Sequence, residues 1–346
     1  MFEKYLISQD KTILDALIAI NSMGRNETLT LFVENSNKEI IGSLTDGDIR
    51  RCLVKGMTVD TKVSEIAFKT FTYLKNGEYD IELIHSAKAK GIELIPVLDD
   101  GKHLIDVVNL KKQKSLLPID AVIMAGGKGE RLRPLTDKTP KPLLPMNGKP
   151  IIDYVVEHII SYGIKDISIT VNYLKEQIEE HFAEPVGDIK VTTVSEPRFL
   201  GTIGSIQYVQ NLKNDTVVLM NSDAITDINL EDFYIHFKEN DADISVAAIP
   251  YSISVPYGIL ELNGHDIETV LEKPTYNYYA NAGIYLIKRD LLKLIPKDQF
   301  FNATDFLELA ISKKYKVIRF PLNGTWIDIG NPQEYQKAIE LVKHLK

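Results

Sequence analysis

Apolar residues in the second two-thirds of the chain gather into short continuous runs separated by stretches of helical spacing. The runs at 121–124, 167–171, 216–220, 244–249 and 283–287 are rich in β-branched residues and read as buried strands. Between them, Ile151, Ile152, Val155, Val156, Ile159 and Ile160 recur at helical spacing, and Gly163 closes that helix. Further helices are expected at 174–182, 202–212, 230–238 and, ending the chain, 332–345. Strands alternating with helices predict an α/β domain, a parallel-rich sheet covered on both faces. Ligands then belong at the carboxyl ends of the strands.

The first third has a different rhythm. In each half of it, a helical pattern precedes two short strands joined by a turn. At a shift of 64 residues, Leu31-Phe-Val-Glu lies over Ile95-Pro-Val-Leu and Lys38-Glu-Ile-Ile over Lys102-His-Leu-Ile, without a gap. The turns Asn35-Ser-Asn-Lys and Asp99-Asp-Gly-Lys are rich in turn formers. A duplicated α+β module is expected over 1–115. The basic run Leu110-Lys-Lys-Gln-Lys closed by Pro118 marks the boundary, and a second domain is expected over 118–346.

Composition narrows the function classes. The chain has 346 residues, enough for about two domains. Lys+Arg number 40 against 48 Asp+Glu, a formal charge of -8, which disfavours nucleic acid and anionic membrane as partners. Residues 1–117 carry 16 basic and 17 acidic side chains and the remainder 24 and 31, so the deficit lies in the second domain. The one cysteine, Cys52, excludes a disulfide within the chain and a Cys-based zinc cluster. No apolar run approaches 18 residues, and Met1-Phe-Glu-Lys-Tyr-Leu-Ile-Ser lacks a signal-peptide pattern, so a cytoplasmic protein is expected.

Against that acidic background, Ala125-Gly-Gly-Lys-Gly-Glu-Arg131-Leu-Arg133-Pro-Leu-Thr136-Asp-Lys-Thr-Pro140-Lys141-Pro-Leu-Leu-Pro145 concentrates five basic and two acidic residues between Lys128 and Lys141. Glycines let a backbone approach a phosphate chain and aim N–H groups at it. Prolines at 134, 140, 142 and 145 stiffen the loop. The dinucleotide fingerprint fails here for want of a third glycine, and the P-loop spacing is absent.

This stretch resembles the sugar-1-phosphate nucleotidyltransferases, whose signature is Gly-Gly-x-Gly-x-Arg-Leu-x-Pro-Leu-Thr followed by Pro-Lys-Pro-Leu-Leu-Pro. The resemblance extends over about 119–346 and implies the Rossmann-like fold of nucleotide-diphospho-sugar transferases, with a mixed, mostly parallel sheet. It implies that Gly126, Gly127 and Gly129 face the nucleotide and that Arg131 and Lys141 clamp its phosphates. Asp223, in Asn221-Ser-Asp223, and Asp328, in Thr325-Trp-Ile-Asp328, stand where the family holds Mg2+; the family often has Gly where Ser222 stands. Two carboxylates completed by phosphate and water suit that ion. The resemblance further implies that Glu272 accepts hydrogen bonds from sugar hydroxyls and Lys273 pairs with the sugar phosphate, with Asn281 and the backbone at Gly258 lining the same pocket.

One position departs informatively. Glu196 precedes the Leu-Gly201-Thr202-Ile-Gly loop by the spacing at which similar uridylyl- and thymidylyltransferases carry Gln. An amide donates and accepts, whereas a carboxylate only accepts. Guanine offers two adjacent donors, so Glu196 points to GTP. The expected activity is transfer of a guanylyl group to a sugar 1-phosphate, with pyrophosphate released. The combination of the two domains resembles the glucosamine-1-phosphate guanylyltransferases of legionaminic-acid synthesis, with mannose- and heptose-1-phosphate guanylyltransferases as close competitors. A uridylyl- or thymidylyltransferase is the alternative within the class. A nucleotide-sensing protein with a dead transferase domain is the alternative outside it.

In the first domain, Gly42-Ser-Leu-Thr45-Asp-Gly-Asp48 resembles the adenosine-binding signature of CBS-domain pairs. That implies a regulatory adenine nucleotide held by Thr45 and Asp48 and a homo-oligomer formed through 1–115. Thr45 capping a helix is the competing reading. The second copy departs, with Asn109 and Lys112 at the matching positions.

Overall fold

The computed structural model describes residues 2–24, 27–78 and 80–343. The chain divides into two compact units, Met1–Leu116 and Leu117–Lys346.

The first unit contains the same arrangement twice. β1 (Leu6–Ser8), α1 (Ile13–Ser22), β2 (Thr30–Glu34), β3 (Ile40–Thr45) and α2 (Asp46–Val54) form one copy. After the short α3 (Val63–Ile66) come β4 (Leu74–Lys75), α4 (Ile81–Ala89), β5 (Leu94–Leu98) and β6 (Leu104–Asn109). The sheets are ordered β1-β2-β3 and β4-β5-β6, each with one parallel and one antiparallel pairing. The register slips between Val33 and Glu34 and again between Val97 and Leu98, positions 64 residues apart. Lys38 and Lys102, also 64 apart, both adopt left-handed backbone, with φ 68 and 61. The copies meet through these turns. Ile40 N–H donates to the Lys102 carbonyl at 2.8 Å, and Glu39 bridges His103. Tyr5, Phe32, Leu94 and Leu98 are buried together between the sheets.

The second unit is built on a seven-stranded sheet ordered β11-β10-β7-β12-β17-β14-β18. Its parts in chain order begin with β7 (Asp120–Ala125), the small hairpin β8 (Pro145–Met146) and β9 (Lys149–Pro150), and α5 (Ile151–Ser161). β10 (Ile167–Val171), α6 (Lys175–His181), β11 (Val191–Ser195), β12 (Thr216–Asn221), β13 (Ala224–Thr226) and α7 (Leu230–Glu239) follow. Then come β14 (Ile244–Ser254), β15 (Ile259–Asn263), β16 (Asp266–Leu271), β17 (Thr275–Lys288), α8 (Ala303–Ser312), β18 (Val317–Pro321), β19 (Trp326–Asp328) and α9 (Pro332–Val342). Four of the six pairings in the large sheet are parallel; β17 runs antiparallel to β12 and β14. The sheet is therefore mixed and mostly parallel.

The apolar pattern explains the layers. β7 and β12 are buried along most of their length, as a strand covered on both faces requires. α5 buries Ile151, Ile152, Val155, Val156 and Ile159. One core gathers Val122, Leu219, Ile287 and Phe306; another gathers Met146, Ile151, Ile225, Ile329 and Ala338. The order reverses around β7, which has β10 on one side and β12 on the other. The crevice outside the carboxyl ends of these strands is where an open α/β sheet receives its ligand.

Two expected helices differ. The helix expected at 202–212 is a 3-10 turn, Gly204–Tyr208. Its neighbourhood holds it by backbone bonds to the 299–303 loop, so tertiary pairing outweighs helical spacing. The terminal helix spans Pro332–Val342, and position 345 lies outside the described residues. Strands β14 and β17 run well past the expected 244–249 and 283–287, because their extensions are exposed and carry no buried-strand signal.

Candidate active site

A cavity of about 530 Å3 opens at the carboxyl ends of β7 and β12. The turn after β7 supplies Gly126, Gly127, Lys128, Gly129 and Arg131; the turn after β12 supplies Asn221, Ser222 and Asp223. Lys141, Thr170, Glu196, Gly201 and Thr202 complete the wall, with Gly330 at one side.

The glycines are needed for different reasons. Gly129 has φ 63, and a Cβ there would stand 3.0 Å from both Lys141 Cβ and Thr136 Cγ2. Thr136 Oγ1 donates to the Gly129 carbonyl at 2.9 Å, and Tyr173 Oη donates to the Thr136 carbonyl at 3.0 Å, which fixes the loop. At Gly126 a Cβ would lie 2.3 Å from Glu196 Oε1. Gly201, with φ 82, lies so close to the Phe301 carbonyl that a Cβ would meet it at 2.6 Å.

Glu196 is only 4% exposed. Its Oε2 accepts from the Leu200 N–H at 3.1 Å, and its other oxygen faces Gly126 in the cavity wall. Burial pushes its carboxyl up to about 7, against the pull of that one hydrogen bond. Thr202 lines the same wall, and its hydroxyl accepts from Ala303 N–H at 2.8 Å, so it also anchors the start of α8. Phe199, at the rim, makes an edge-to-face pair with Phe300 at 5.9 Å.

At the opposite end, Lys141 is ion-paired to Asp223, both largely enclosed. β13 and β19 pair so that Ala224 faces Asp328, which carries Asp328 to the flank of Asp223. Burial and then the Asp223 charge push the Asp328 carboxyl up, while Lys141 and Arg131 pull it down. A Cβ at Gly330 would approach the Arg131 guanidinium at 3.1 Å, so Arg131 is held beside the same carboxylates. Two carboxylates that repel one another beside a phosphate-sized cavity are a donor set that fits Mg2+. Among the described residues, no group of three His, Cys, Asp or Glu could hold a metal.

The four residues assigned to the sugar do not line this cavity. Asn281 is linked to it: its Oδ1 accepts from Gly283 N–H at 2.9 Å, and Gly283 packs against Asn221, where a Cβ would be 2.3 Å from the amide nitrogen. Gly258 and Glu272 face each other on the arm beyond the sheet, a Cβ at Gly258 falling 3.3 Å from Glu272 Oε2. The Glu272 and Lys273 side chains are 75% and 69% exposed. Sequence reasoning did not single out Asn221, Ser205 or Phe199. Asn221 was findable, since it is the last residue of a buried strand at the ligand end of the sheet.

In the first unit, Thr45 caps α2. Its Oγ1 accepts from Asp48 N–H at 3.2 Å while Asp48 Oδ2 accepts from Thr45 N–H at 2.8 Å, a reciprocal box. Burial opposes the charge on Asp48, but the bonds from Thr45 and the Arg51 pair outweigh it and hold the carboxyl low. Thr45, Asp48 and Arg51 also line a cavity of about 350 Å3 with Phe68 and Phe71. In the second copy, Lys112 pairs with Glu27 at 3.1 Å, and Glu27 also binds Lys4 and Tyr5.

A glycine loop, the cations Lys141 and Arg131 and the carboxylates Asp223 and Asp328 meet at the switch point of the α/β sheet. The chain belongs to the nucleotidyl transferase family, whose match covers residues 120–344. It is 29% identical over 219 residues to a D-glycero-alpha-D-manno-heptose 1-phosphate guanylyltransferase of Campylobacter jejuni, covering 63% of this chain and 97% of that protein. It is 32% identical over 231 residues to the bifunctional protein GlmU of Methanococcus maripaludis, covering 64% of this chain. It spans 53–62% of the length of some of the curated relatives it matches. Among solved structures, HddC from Yersinia pseudotuberculosis complexed with GMP-PN superposes with TM-score 0.51 at 25% identity, covering 65% of this chain and 99% of that one. No helix among the described residues is long and apolar enough to cross a membrane. The family's name denotes transfer of a nucleotidyl group.

Proposed function

We propose that the chain transfers GMP from GTP to a sugar 1-phosphate. An oxygen of the sugar phosphate attacks the α-phosphorus in line, the bond to the bridging oxygen of the β-phosphate breaks, and pyrophosphate leaves. The attacking oxygen is already anionic at neutral pH, so no general base is required. The observation that carries the guanylyl reading is Glu196, a side chain that only accepts when ionised, enclosed against Gly126 in the cavity wall. A carboxylate meets guanine's two neighbouring donors in a bidentate, charge-assisted pair and repels the carbonyl of uracil. The Campylobacter relative and the GMP-PN complex of HddC support the same base.

The roles follow from placement. The N–H groups of Gly126, Gly127 and Gly129 receive the phosphate chain, and Arg131 and Lys141 neutralise it. Asp223 and Asp328 would hold Mg2+, which when bound would supply neutralisation of phosphate charge. Glu272, Asn281 and the Gly258 backbone hold sugar hydroxyls, and Lys273 meets the sugar phosphate. Mannose, heptose and glucosamine 1-phosphates are the candidate acceptors.

The test is a panel of four NTPs against several sugar 1-phosphates, reading pyrophosphate. GTP is expected to lead. Glu196→Gln is expected to lower kcat/KM for GTP by roughly 10- to 100-fold and narrow the gap to UTP. The wild-type GTP/UTP ratio is expected to rise roughly tenfold from pH 6 to pH 8, as a carboxyl near 7 ionises. UTP shares the triphosphate and so controls for its titration. A wild-type preference for UTP overturns the reading.

For the first unit we infer a CBS-type regulatory module with one adenine-nucleotide site at Thr45 and Asp48. The cavity beside them supports it, and the Lys112–Glu27 pair in the second copy argues against a matching second site. Calorimetry of the full chain with AMP or ATP is expected to show one site lost in Asp48→Ala. No difference between wild type and variant refutes it.

A further inference from the structure

Two phenylalanine rings stand at the mouth of the cavity beside Glu196 without a place in the core. Phe199 is 46% exposed and Phe300 58%. Their centroids are 5.9 Å apart and their planes cross at 66°. The backbone that carries them is pinned on both sides. Phe301 N–H donates to the Leu200 carbonyl at 2.9 Å, and the N–H groups of Ile203 and Gly204 both donate to the Phe301 carbonyl at 3.2 Å. Arg198 donates to the Asp298 carbonyl, and Gln207 Oε1 accepts from Asp298 N–H at 2.9 Å. The loops 196–204 and 296–302 are thus locked side by side, with one ring from each at the junction. The backbone, Arg198 and Gln207 make these bonds, so the lock holds the rings in place without drawing on them.

An edge-to-face pair leaves at least one face of each ring free of the other. Phe199 lines the cavity, three residues on from Glu196 and next to Leu200, whose N–H the carboxylate holds. The cations and the other carboxylates gather at the opposite end. The Glu196 end therefore offers an acceptor to the edge of a flat heterocycle and an aromatic face to its plane. We propose that Phe199 is the stacking platform for the nucleobase and that Phe300 is its positioning residue. Every base has a π face, so stacking supplies affinity with little choice among bases, while the carboxylate supplies choice. A ring already held in place gives this affinity without an ordering cost at binding. The proposal rests on reading this cavity as a nucleotide site, and it stands whether or not the base is guanine.

The experiment is calorimetry of the full chain with Mg2+, titrating GTP, UTP and tripolyphosphate, which has the phosphates and no base. Phe199→Ala is expected to raise the Kd for GTP roughly 10- to 100-fold, to raise that for UTP less, and to leave tripolyphosphate unchanged. Phe199→Trp keeps a ring and should bind GTP as wild type does. Phe199→Leu keeps apolar volume without a ring and should lose affinity as alanine does, which decides the matter if alanine disturbs the loop. Phe300→Ala should raise the Kd for GTP roughly 2- to 10-fold, again with tripolyphosphate unchanged. If wild type instead favours UTP, the guanine reading fails, and a loss of UTP affinity in Phe199→Leu still supports the platform. Unchanged nucleotide affinity in Phe199→Leu, a parallel loss of tripolyphosphate, as a merely structural bracket gives, or no rescue by Phe199→Trp overturns it.

Discussion

The proposed nucleotide half and the proposed sugar half of the second unit are built to opposite standards. In the first, a Cβ added at Gly126, Gly129 or Gly201 would crowd a neighbour, Glu196 is buried, and Lys141 and Asp223 form a largely enclosed ion pair. In the second, Glu272 and Lys273 are largely exposed on the arm, 4.0 Å from one another, with Gly258 beside Glu272. Rigid placement costs nothing further at the moment of reaction, and phosphoryl chemistry demands it where charge develops. Recognition of an acceptor hydroxyl pattern tolerates a surface that closes on its ligand. The comparison predicts that substitutions in the first half strike turnover, and in the second half strike acceptor affinity.

The hardest blow should come from Asp223→Asn and Asp328→Asn. Each removes a charge from the pair flanking Lys141, with an expected loss of several kcal/mol in transition-state stabilisation, roughly a thousandfold in kcat. Circular dichroism and melting should stay near wild type, since neither carboxylate supports the core. Near-normal turnover of both variants at saturating Mg2+ would sink the metal assignment and with it the contrast.

Lys273→Ala should do less, and do it elsewhere. Its Nζ lies 4.0 Å from Glu272 Oε1 on an exposed strand end, so folding does not depend on it. The expected result is a roughly 10- to 100-fold rise in KM for the sugar 1-phosphate, with KM for the nucleotide unchanged. A change confined to the nucleotide would show that the arm does not carry the acceptor.

The same contrast governs what the sequence could reveal. The strands at 121–124 and 216–220 are legible because they are buried almost throughout and their runs are almost wholly apolar. The glycine loop was legible because its residue types are dictated by close approach. The arm is not, because an exposed ribbon obeys no burial pattern, so the apolar runs mark about half of β14 and about a third of β17. The 3-10 turn at Gly204–Tyr208 was misread as helix because apolar spacing is blind to the Phe301 carbonyl that captures Ile203 and Gly204. In the first unit, Thr45 and Asp48 could be read either as ligand or as cap; the geometry shows the cap, with the cavity beside it.

The smallest expected effect tests whether the nucleotide half is costly to fold. Glu196 has a folded carboxyl pushed to about 7 by burial, above its ordinary 4.5. Below pH 4.5 the group is protonated in both states and contributes no difference. Between 4.5 and 7 the unfolded chain gives up its proton more readily than the native one, so stability falls as pH rises, and it levels off above 7. Glu196→Gln has no proton to lose and can still accept from Leu200 N–H. Its melting temperature should therefore exceed that of wild type at pH 8, and the excess should shrink as pH falls from 7 toward 4.5. An effect on the order of 2 kcal/mol amounts to roughly 4–8 °C for a unit of this size. A difference that is flat across this range would mean that the carboxylate is solvated in the free protein. Glu196 would then belong with Glu272 on the adaptable side of the comparison, and base selection would come from the closing of the loop rather than from a carboxylate fixed in advance.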